Sequence, residues 1–144
     1  MAACDRTPNR WAETLWAAYR ARLGCPSAGE SRPDSAFQYY EKGVTIWRED
    51  LDRIYVIYND GSYSTHRDDE GPEGYARTPW VKGGFGWLWD NNETVNRRLG
   101  QAMAAEANAP QFAAQDFQHG VIFTFYDNET FIYTLFDDGT WLEE

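Results

Sequence analysis

The clearest structural signal in the chain is the stretch IYVIYNDGSYSTH, residues 54–66. Ile54–Tyr58 is a run of β-branched and aromatic residues, which is typical of a buried strand. Asn59-Asp60-Gly61 tolerates positive φ and is therefore a strong signal for a tight turn. Ser62–His66 then supplies the returning strand. The stretch predicts an antiparallel hairpin.

The residues before this hairpin predict one helix and two further strands. We expect a helix over residues 9–23, capped by Thr7 and ended by Gly24. Apolar side chains recur there at the three- and four-residue steps of a helix, at Trp11, Leu15, Trp16, Tyr19 and Leu23. Phe37–Glu41 and Val44–Arg48 are predicted to be strands joined by a tight turn.

The second half of the chain repeats this order. The matched positions are Leu23-Gly24 and Leu99-Gly100, Gln38 and Gln115, Gly43 and Gly120, Ile54-Tyr55 and Ile132-Tyr133, and the turns at Asp60-Gly61 and Asp138-Gly139. We expect the second helix to run from Asp90 or Asn91 through Arg98. One such copy is too small to bury its own apolar face. The prediction is an α+β fold with two pseudo-repeats, each a short helix followed by antiparallel β-hairpins, that share one core.

The chain is interpreted as a single domain over residues 1–144. Repeat 1 covers approximately residues 4–66, and repeat 2 covers approximately residues 84–144. Between them lies a polar connector, approximately residues 67–83, which is rich in Gly and Pro.

The repeated string resembles the LGFP repeat of bacterial cell-wall-associated proteins. It is more similar to a two-copy module of secreted bacterial proteins, in which Leu-Gly-Cys-Pro opens the first copy and Gly-Phe-Gly with a Trp opens the second. In this chain the first motif is residues 23–26, and the second is residues 84–86 with Trp89. The resemblance spans roughly residues 4–142 and implies an extracellular, non-catalytic anchoring or glycan-binding element. The second copy departs from the pattern at residues 99–102, which read Leu-Gly-Gln-Ala without the proline.

The two cysteines, Cys4 and Cys25, bracket the first predicted helix. Neither has a Cys or His neighbour at the spacing of a zinc site, so they are either free thiols or one disulfide. The family resemblance favours the disulfide, which would stabilise the fold by roughly 3 kcal/mol and would require an oxidising compartment. We therefore expect a secreted or cell-surface protein. Met1–Ala3 is too short to be a signal peptide, so a leader would already have been removed.

Charge narrows the range of partners. The chain has a net charge of −10, and residues 68–144, with fourteen acids and four bases, carry all of the excess. Nucleic acids and anionic membranes bind basic patches, so neither is expected as a partner. No apolar run approaches the length of a membrane span, so no membrane insertion is expected. The partners that remain are a glycan, a cell-wall polymer or a basic protein surface.

The sequence contains no recognised catalytic motif, and we predict no enzyme activity, cofactor or metal. His66 and His119 do not lie at a metal spacing. A small hydrolase using an Asp/Glu pair stays an alternative, although no pair stands out. Clustered carboxylates at residues 68–70, and at Asp127 and Glu129, leave a calcium site open.

Aromatic residues are the best candidates for ligand contacts, because sugars present apolar C–H faces that stack on rings. The rings make up 17% of the chain; most of them are expected to fill the core, and the excess allows a ring-lined binding surface. The predicted ligand-binding residues are Trp47, Trp80, Trp87, Tyr63 and Asp60. The expected function is a glycan- or cell-wall-binding module, and the alternative is an acidic protein-interaction or surface-assembly domain.

Overall fold

The computed structural model describes residues 3–68 and 71–143. The predicted α+β class is confirmed, since antiparallel sheets and helices are both present. The helices in the described residues are α1 (Glu13–Leu23), α2 (Gly83–Asn91) and α3 (Glu93–Leu99). The strands are β1 (Ser35–Tyr40), β2 (Gly43–Arg48), β3 (Arg53–Tyr58), β4 (Tyr63–Arg67), β5 (Ala76–Thr78), β6 (Val81–Lys82), β7 (Ala107–Asn108), β8 (Ala113–Phe117), β9 (Gly120–Asp127), β10 (Glu129–Phe136) and β11 (Trp141–Glu143). None of the described helices combines the length and the apolar character needed to cross a membrane.

The hairpin predicted from residues 54–66 is present as β3 and β4. The two strands pair antiparallel, with Ile57 opposite Tyr63. They form one edge of a five-stranded sheet in the order β4-β3-β2-β1-β7. A four-stranded sheet has the order β11-β10-β9-β8, and β5 and β6 form a separate two-stranded ribbon.

The chain divides into two compact units. Unit 1 consists of Met1–Pro33 and Pro110–Glu144, and unit 2 is Asp34–Ala109. Unit 1 therefore combines α1 with β8–β11, whereas unit 2 combines α2 and α3 with β1–β7. Each unit takes its main sheet from one half of the sequence and its helix or helices from the other half. The repeat boundaries drawn on the sequence stay a prediction.

Each unit has its own cluster of buried apolar side chains. In unit 1 the cluster joins helix and sheet through Ala12, Leu15, Leu23, Phe117, Ile122 and Phe136. In unit 2 it includes Ile54, Val56, Phe85, Trp89, Val95 and Leu99. A fully buried Leu or Phe contributes about 2 kcal/mol, so these helix faces hold the helices on the sheets.

The ends of α1 and α3 have the same local geometry. Gly24 and Gly100 follow the two helices, and both have a φ of 74°. The indole Nε1 of Trp16 donates a hydrogen bond to the Gly24 carbonyl oxygen at 2.9 Å. The indole of Trp89 makes the same contact with Gly100, also at 2.9 Å. These bonds satisfy carbonyl groups that a helix end would otherwise leave without a partner.

Two helix starts differ from the sequence-based expectation. Thr7 does not cap α1, which begins at Glu13 after a 3₁₀ turn at Arg10–Ala12. The second helix, expected from Asp90 or Asn91 through Arg98, is instead two helices, and the first of them, α2, already begins at Gly83, the last residue of the predicted connector. Burial of the apolar side chains of α2 outweighs the poor helix propensity of its glycines. Asn92 then separates α2 from α3, and its side chain accepts a hydrogen bond from the Val95 N–H at 3.1 Å.

Candidate functional site

Trp80 is the most exposed tryptophan side chain among the predicted contact residues. It lies in the turn between β5 and β6, and its side chain is 48% exposed. The Thr78 hydroxyl accepts hydrogen bonds from the backbone N–H groups of Trp80 (3.3 Å) and Val81 (3.0 Å). On the other side, the Gln38 amide donates to the Trp80 carbonyl oxygen at 2.7 Å. The backbone is thus fixed while the ring faces solvent.

Gln38 also places a second loop beside Trp80. Gln38 is 1% exposed, and its Nε2 donates to the carbonyl oxygen of Ala104 at 2.8 Å as well as to that of Trp80. One nitrogen therefore holds two loop carbonyls together. The adjacent residue, Met103, is 60% exposed, and its N–H donates to the Tyr39 carbonyl oxygen at 2.9 Å. Two loops tied to β1 thus carry large exposed apolar side chains.

Trp87 is half-buried and belongs to a polar cluster that the sequence did not indicate. Its ring contacts Tyr75 edge-on, with centroids 5.4 Å apart. The Tyr75 hydroxyl donates to Asp90, and Arg77 forms a two-pronged ion pair with the same carboxylate, at 2.9 Å and 3.0 Å. Arg77 holds the pKa of Asp90 below its ordinary value, whereas Asp90 raises the pKa of the Tyr75 hydroxyl. The cluster fastens β5 to α2.

Trp47 lies in β2, half-buried, and packs against the core of unit 2. It lines a small cavity of about 180 Å³ together with Asp68, Gly84 and Glu106. Its indole N–H is buried and has no hydrogen-bond partner in the described part of the chain. The atom has no access to solvent, so a ligand in this cavity would contact the ring rather than the N–H.

Asp60 and Tyr63 lie at the β3–β4 turn of the five-stranded sheet, whereas Trp80 lies in the separate β5–β6 ribbon. The Asp60 carboxylate accepts hydrogen bonds from the hydroxyl (2.5 Å) and N–H (3.0 Å) of Ser62 and from Arg98 (2.9 Å). These bonds, those of Ser62 first, lower the pKa of Asp60. Most of its acceptor capacity is already used in shaping the turn. Of the predicted residues, Trp80 is therefore the one best prepared to meet a ligand.

Comparison of the chain with protein-family models, with curated proteins and with solved structures finds no match.

The predicted Cys4–Cys25 pair is confirmed, since the two sulfur atoms lie 2.04 Å apart, at disulfide distance. Within residues 3–68 and 71–143, no three His, Cys, Asp or Glu side chains form a group that could hold a metal ion. Asp69 and Glu70, which belong to one of the calcium alternatives, lie outside the described residues.

Each histidine has a polar neighbour. His66 Nε2 is 2.8 Å from the Ser64 hydroxyl, and the two residues are two positions apart on β4. His119 Nδ1 is 3.2 Å from the Asp137 carboxylate, and both side chains are exposed. The absence of catalysis stays a prediction.

Met103 and the partners of Asp90 were not identified from the sequence. A polar charged residue on a short strand, such as Arg77, resembles any solvated surface residue until its partner is known. The one available signal for Met103 was its place in a loop of small residues, where a long apolar side chain has little to pack against.

Proposed function

We propose that the chain is a non-catalytic, extracellular binding module for a glycan or cell-wall polymer, with Trp80 as its main contact residue. The observation that carries the proposal is the indole of Trp80, which is exposed at the tip of a turn whose backbone is fixed from both sides. Because the backbone is already fixed, only the side-chain torsions of Trp80 have to be ordered on binding, which limits the entropy cost. Stacking against the C–H face of a sugar would remove its apolar surface from water.

We further propose that the two units are diverged copies of one fold that have exchanged helices, which provides an internal comparison for Trp80. In unit 1 the amide of Gln115 donates to the carbonyl oxygens of Thr7 (3.4 Å) and Ala28 (3.1 Å). In unit 2 Gln38 binds two loop carbonyls in the same manner. Thr7 therefore corresponds to Trp80 in this arrangement, and only unit 2 has a tryptophan at the position.

The extracellular setting is part of the same proposal. The Cys4–Cys25 pair at disulfide distance supports it, because structural disulfides persist in oxidising compartments and are rare in the cytosol. The disulfide joins residues before and after α1, so it lies in unit 1 and places no covalent constraint on the turn that carries Trp80.

The proposal predicts that Trp80→Thr, which copies the residue at the matched position of unit 1, weakens carbohydrate binding about tenfold, because stacking is lost. Calorimetric titration with a panel of soluble polysaccharides and peptidoglycan fragments measures the effect. Trp80→Phe keeps a ring and should retain most of the affinity. Tyr126→Thr is the matched control, since Tyr126 is also exposed (42%) but lies on β9 in unit 1. Equal affinities of Trp80→Thr and wild type for a bound glycan would refute the assignment of Trp80.

The second candidate function is an acidic protein-interaction domain. Met103 favours it, because an exposed, flexible thioether side chain adapts to apolar protein surfaces and makes poor contacts with sugars. The same variants separate the two functions. A negative carbohydrate panel, combined with binding to basic peptides that both Met103→Ser and Trp80→Thr weaken, would replace the glycan proposal with this one.

A further inference from the structure

A cavity of about 580 Å³ in unit 1 lies between the N-terminal segment and α1. The residues that matter for its chemistry are Arg6, Pro8, Arg10, Glu13, Trp16 and Arg20. Three arginines and one glutamate thus line the cavity, in a chain whose net charge is −10. A local excess of positive charge in an acidic protein needs a reason, because the surrounding field would favour pairing these groups with carboxylates.

Arg6 and Arg10 are exposed and make no ion pair or hydrogen bond with the described part of the chain. Other arginines of the molecule are engaged, for example Arg77 with Asp90 and Arg98 with Asp60. The donors of Arg6 and Arg10 are therefore available to a ligand. A guanidinium binds phosphate or carboxylate through two parallel hydrogen bonds, so two of them can enclose one anion.

The N-terminal start of α1 adds to the positive potential of the cavity. Neither Asn9, before the 3₁₀ turn, nor Ala12, before α1, makes a side-chain cap hydrogen bond. The first N–H groups of a helix carry partial positive charge, although the 3₁₀ turn supplies backbone acceptors for those of Ala12 and Glu13. Glu13, in the first turn, offsets only part of the combined charge.

The disulfide and Trp16 give the cavity a fixed shape. Cys4 is bonded to Cys25, so the segment that carries Arg6 is held close to the C-terminal end of α1. Arg20 lies over the Trp16 ring, 4.6 Å from its centroid, and its Nη2 is 3.8 Å from the Cys4 sulfur. Arg6 and Arg20 also line a neighbouring cavity of about 600 Å³, together with Asp5 and His119. The guanidiniums therefore stand along a continuous recessed surface rather than on a convex one.

We propose that this arginine cavity binds an anionic group, a phosphate or a carboxylate, whose attached apolar or sugar portion rests against Pro8 and Trp16. The site lies in unit 1 and uses none of the residues assigned to glycan binding, so it goes beyond the proposed function and does not depend on it. The ligand class follows from the donors, since Arg6 and Arg10 supply only N–H groups and positive charge.

The test titrates the full chain with inorganic phosphate and, separately, with glucuronate, at low ionic strength, using glucose as a neutral control. We expect saturable binding with a dissociation constant on the order of 1 mM, which weakens as salt screens the charges. The double variant Arg6→Gln/Arg10→Gln should bind at least about tenfold more weakly. The matched control is Arg53→Gln/Arg97→Gln, which removes two exposed arginines from unit 2 and should change the affinity less than about twofold.

Each outcome bears on the site. Loss of binding in the first double variant alone supports it, and the tighter of the two probes identifies the anion. Equal losses in both double variants would mean that net charge attracts the anions non-specifically, which overturns the proposal. Absence of saturable binding of both probes in the wild type also overturns it. Circular dichroism checks that the variants are folded, and Trp80→Thr should bind both anions as wild type does, which separates this site from the glycan site.

Discussion

At the scale of single residues, two glycines allow a close approach that no other residue permits. A Cβ on Gly43 would lie 2.2 Å from the Ile57 carbonyl oxygen, and a Cβ on Gly120 would lie 2.2 Å from that of Leu135. Both glycines stand at the start of a strand, directly opposite the end of its partner. The sequence marks these positions only as turn residues, whereas the structure assigns them to strand contacts.

We predict that Gly43→Ala and Gly120→Ala each lower the free energy of unfolding by about 3 kcal/mol, because backbone must move to admit the methyl group. Urea denaturation measures the change. Gly29→Ala is the control, since a Cβ there would meet no atom within 4 Å and its stability should stay within about 0.5 kcal/mol of wild type. A Gly43→Ala or Gly120→Ala variant as stable as Gly29→Ala would contradict the close-approach argument.

At the scale of elements, an ion pair fastens the β5–β6 ribbon to α2. Arg77 on β5 contacts Asp90 near the end of α2, and Tyr75 donates to the same carboxylate. The ribbon is short and its β5 residues are exposed, so burial contributes little to its position. The turn that carries Trp80 is therefore supported by polar contacts at its base and by Gln38 at its tip.

The pairing predicts a pH-dependent effect of Asp90→Asn. Arg77 lowers the pKa of Asp90, so the stabilisation is fully present above the unfolded-state pKa of about 4 and is lost as the pH falls through the lower folded-state pKa. We expect Asp90→Asn to destabilise the protein by about 1 kcal/mol at pH 7, a value limited by the half-exposed Arg77. Urea midpoints at pH 7 and pH 3 should show the difference shrinking at the lower pH.

Asp34→Asn provides the control for this series, because Asp34 is exposed in the same unit and forms no side-chain ion pair within the described residues. Its effect should be small at both pH values. A deficit of Asp90→Asn that stays constant from pH 7 to pH 3 would show that the carboxylate acts through packing rather than through its charge.

At the scale of the whole molecule, unit 1 is assembled from distant parts of the chain, whereas unit 2 is one continuous segment, Asp34–Ala109. Unit 1 joins Met1–Pro33 to Pro110–Glu144 across an interval that forms unit 2. The entropy of bringing these segments together is a cost that helix burial must offset. The Cys4–Cys25 bond does not span this interval, but it limits the conformations of the N-terminal segment in the unfolded chain.

We predict that Cys4→Ser/Cys25→Ser lowers the free energy of unfolding by about 3 kcal/mol, as the chain-entropy model gives for a loop of this length. The loss of stability should affect unit 1 more than unit 2, so backbone hydrogen exchange should accelerate in α1 more than in β2 and β3. Wild-type protein under reducing conditions should reproduce the effect. Equal acceleration in both units would show instead that they unfold as one cooperative body.

Much of the local structure was predictable because it depends on neighbours in sequence. The run Ile54–Tyr58 with its Asn-Asp-Gly turn specified a hairpin, and the three- and four-residue spacing from Trp11 to Leu23 specified a helix. The α2 boundary was missed because Gly83 and Gly84 carry a strong non-helical signal, which burial of Phe85 and Trp89 overrides.

The sequence by itself determined the α+β class, the hairpin at residues 54–66 and the first helix, because each follows from spacing or turn chemistry. It left Cys4 and Cys25 open between free thiols and a disulfide. Only the tertiary structure decided that α1 packs on β8–β11 and that Trp80 remains exposed while Trp89 is buried. An amphipathic face indicates that a helix must pack but carries no information on which sheet receives it. That choice depends on how well the side chains of the helix and the sheet fit together, and these residues are far apart in sequence. The same long-range packing places Gln38 beside the backbone of Trp80.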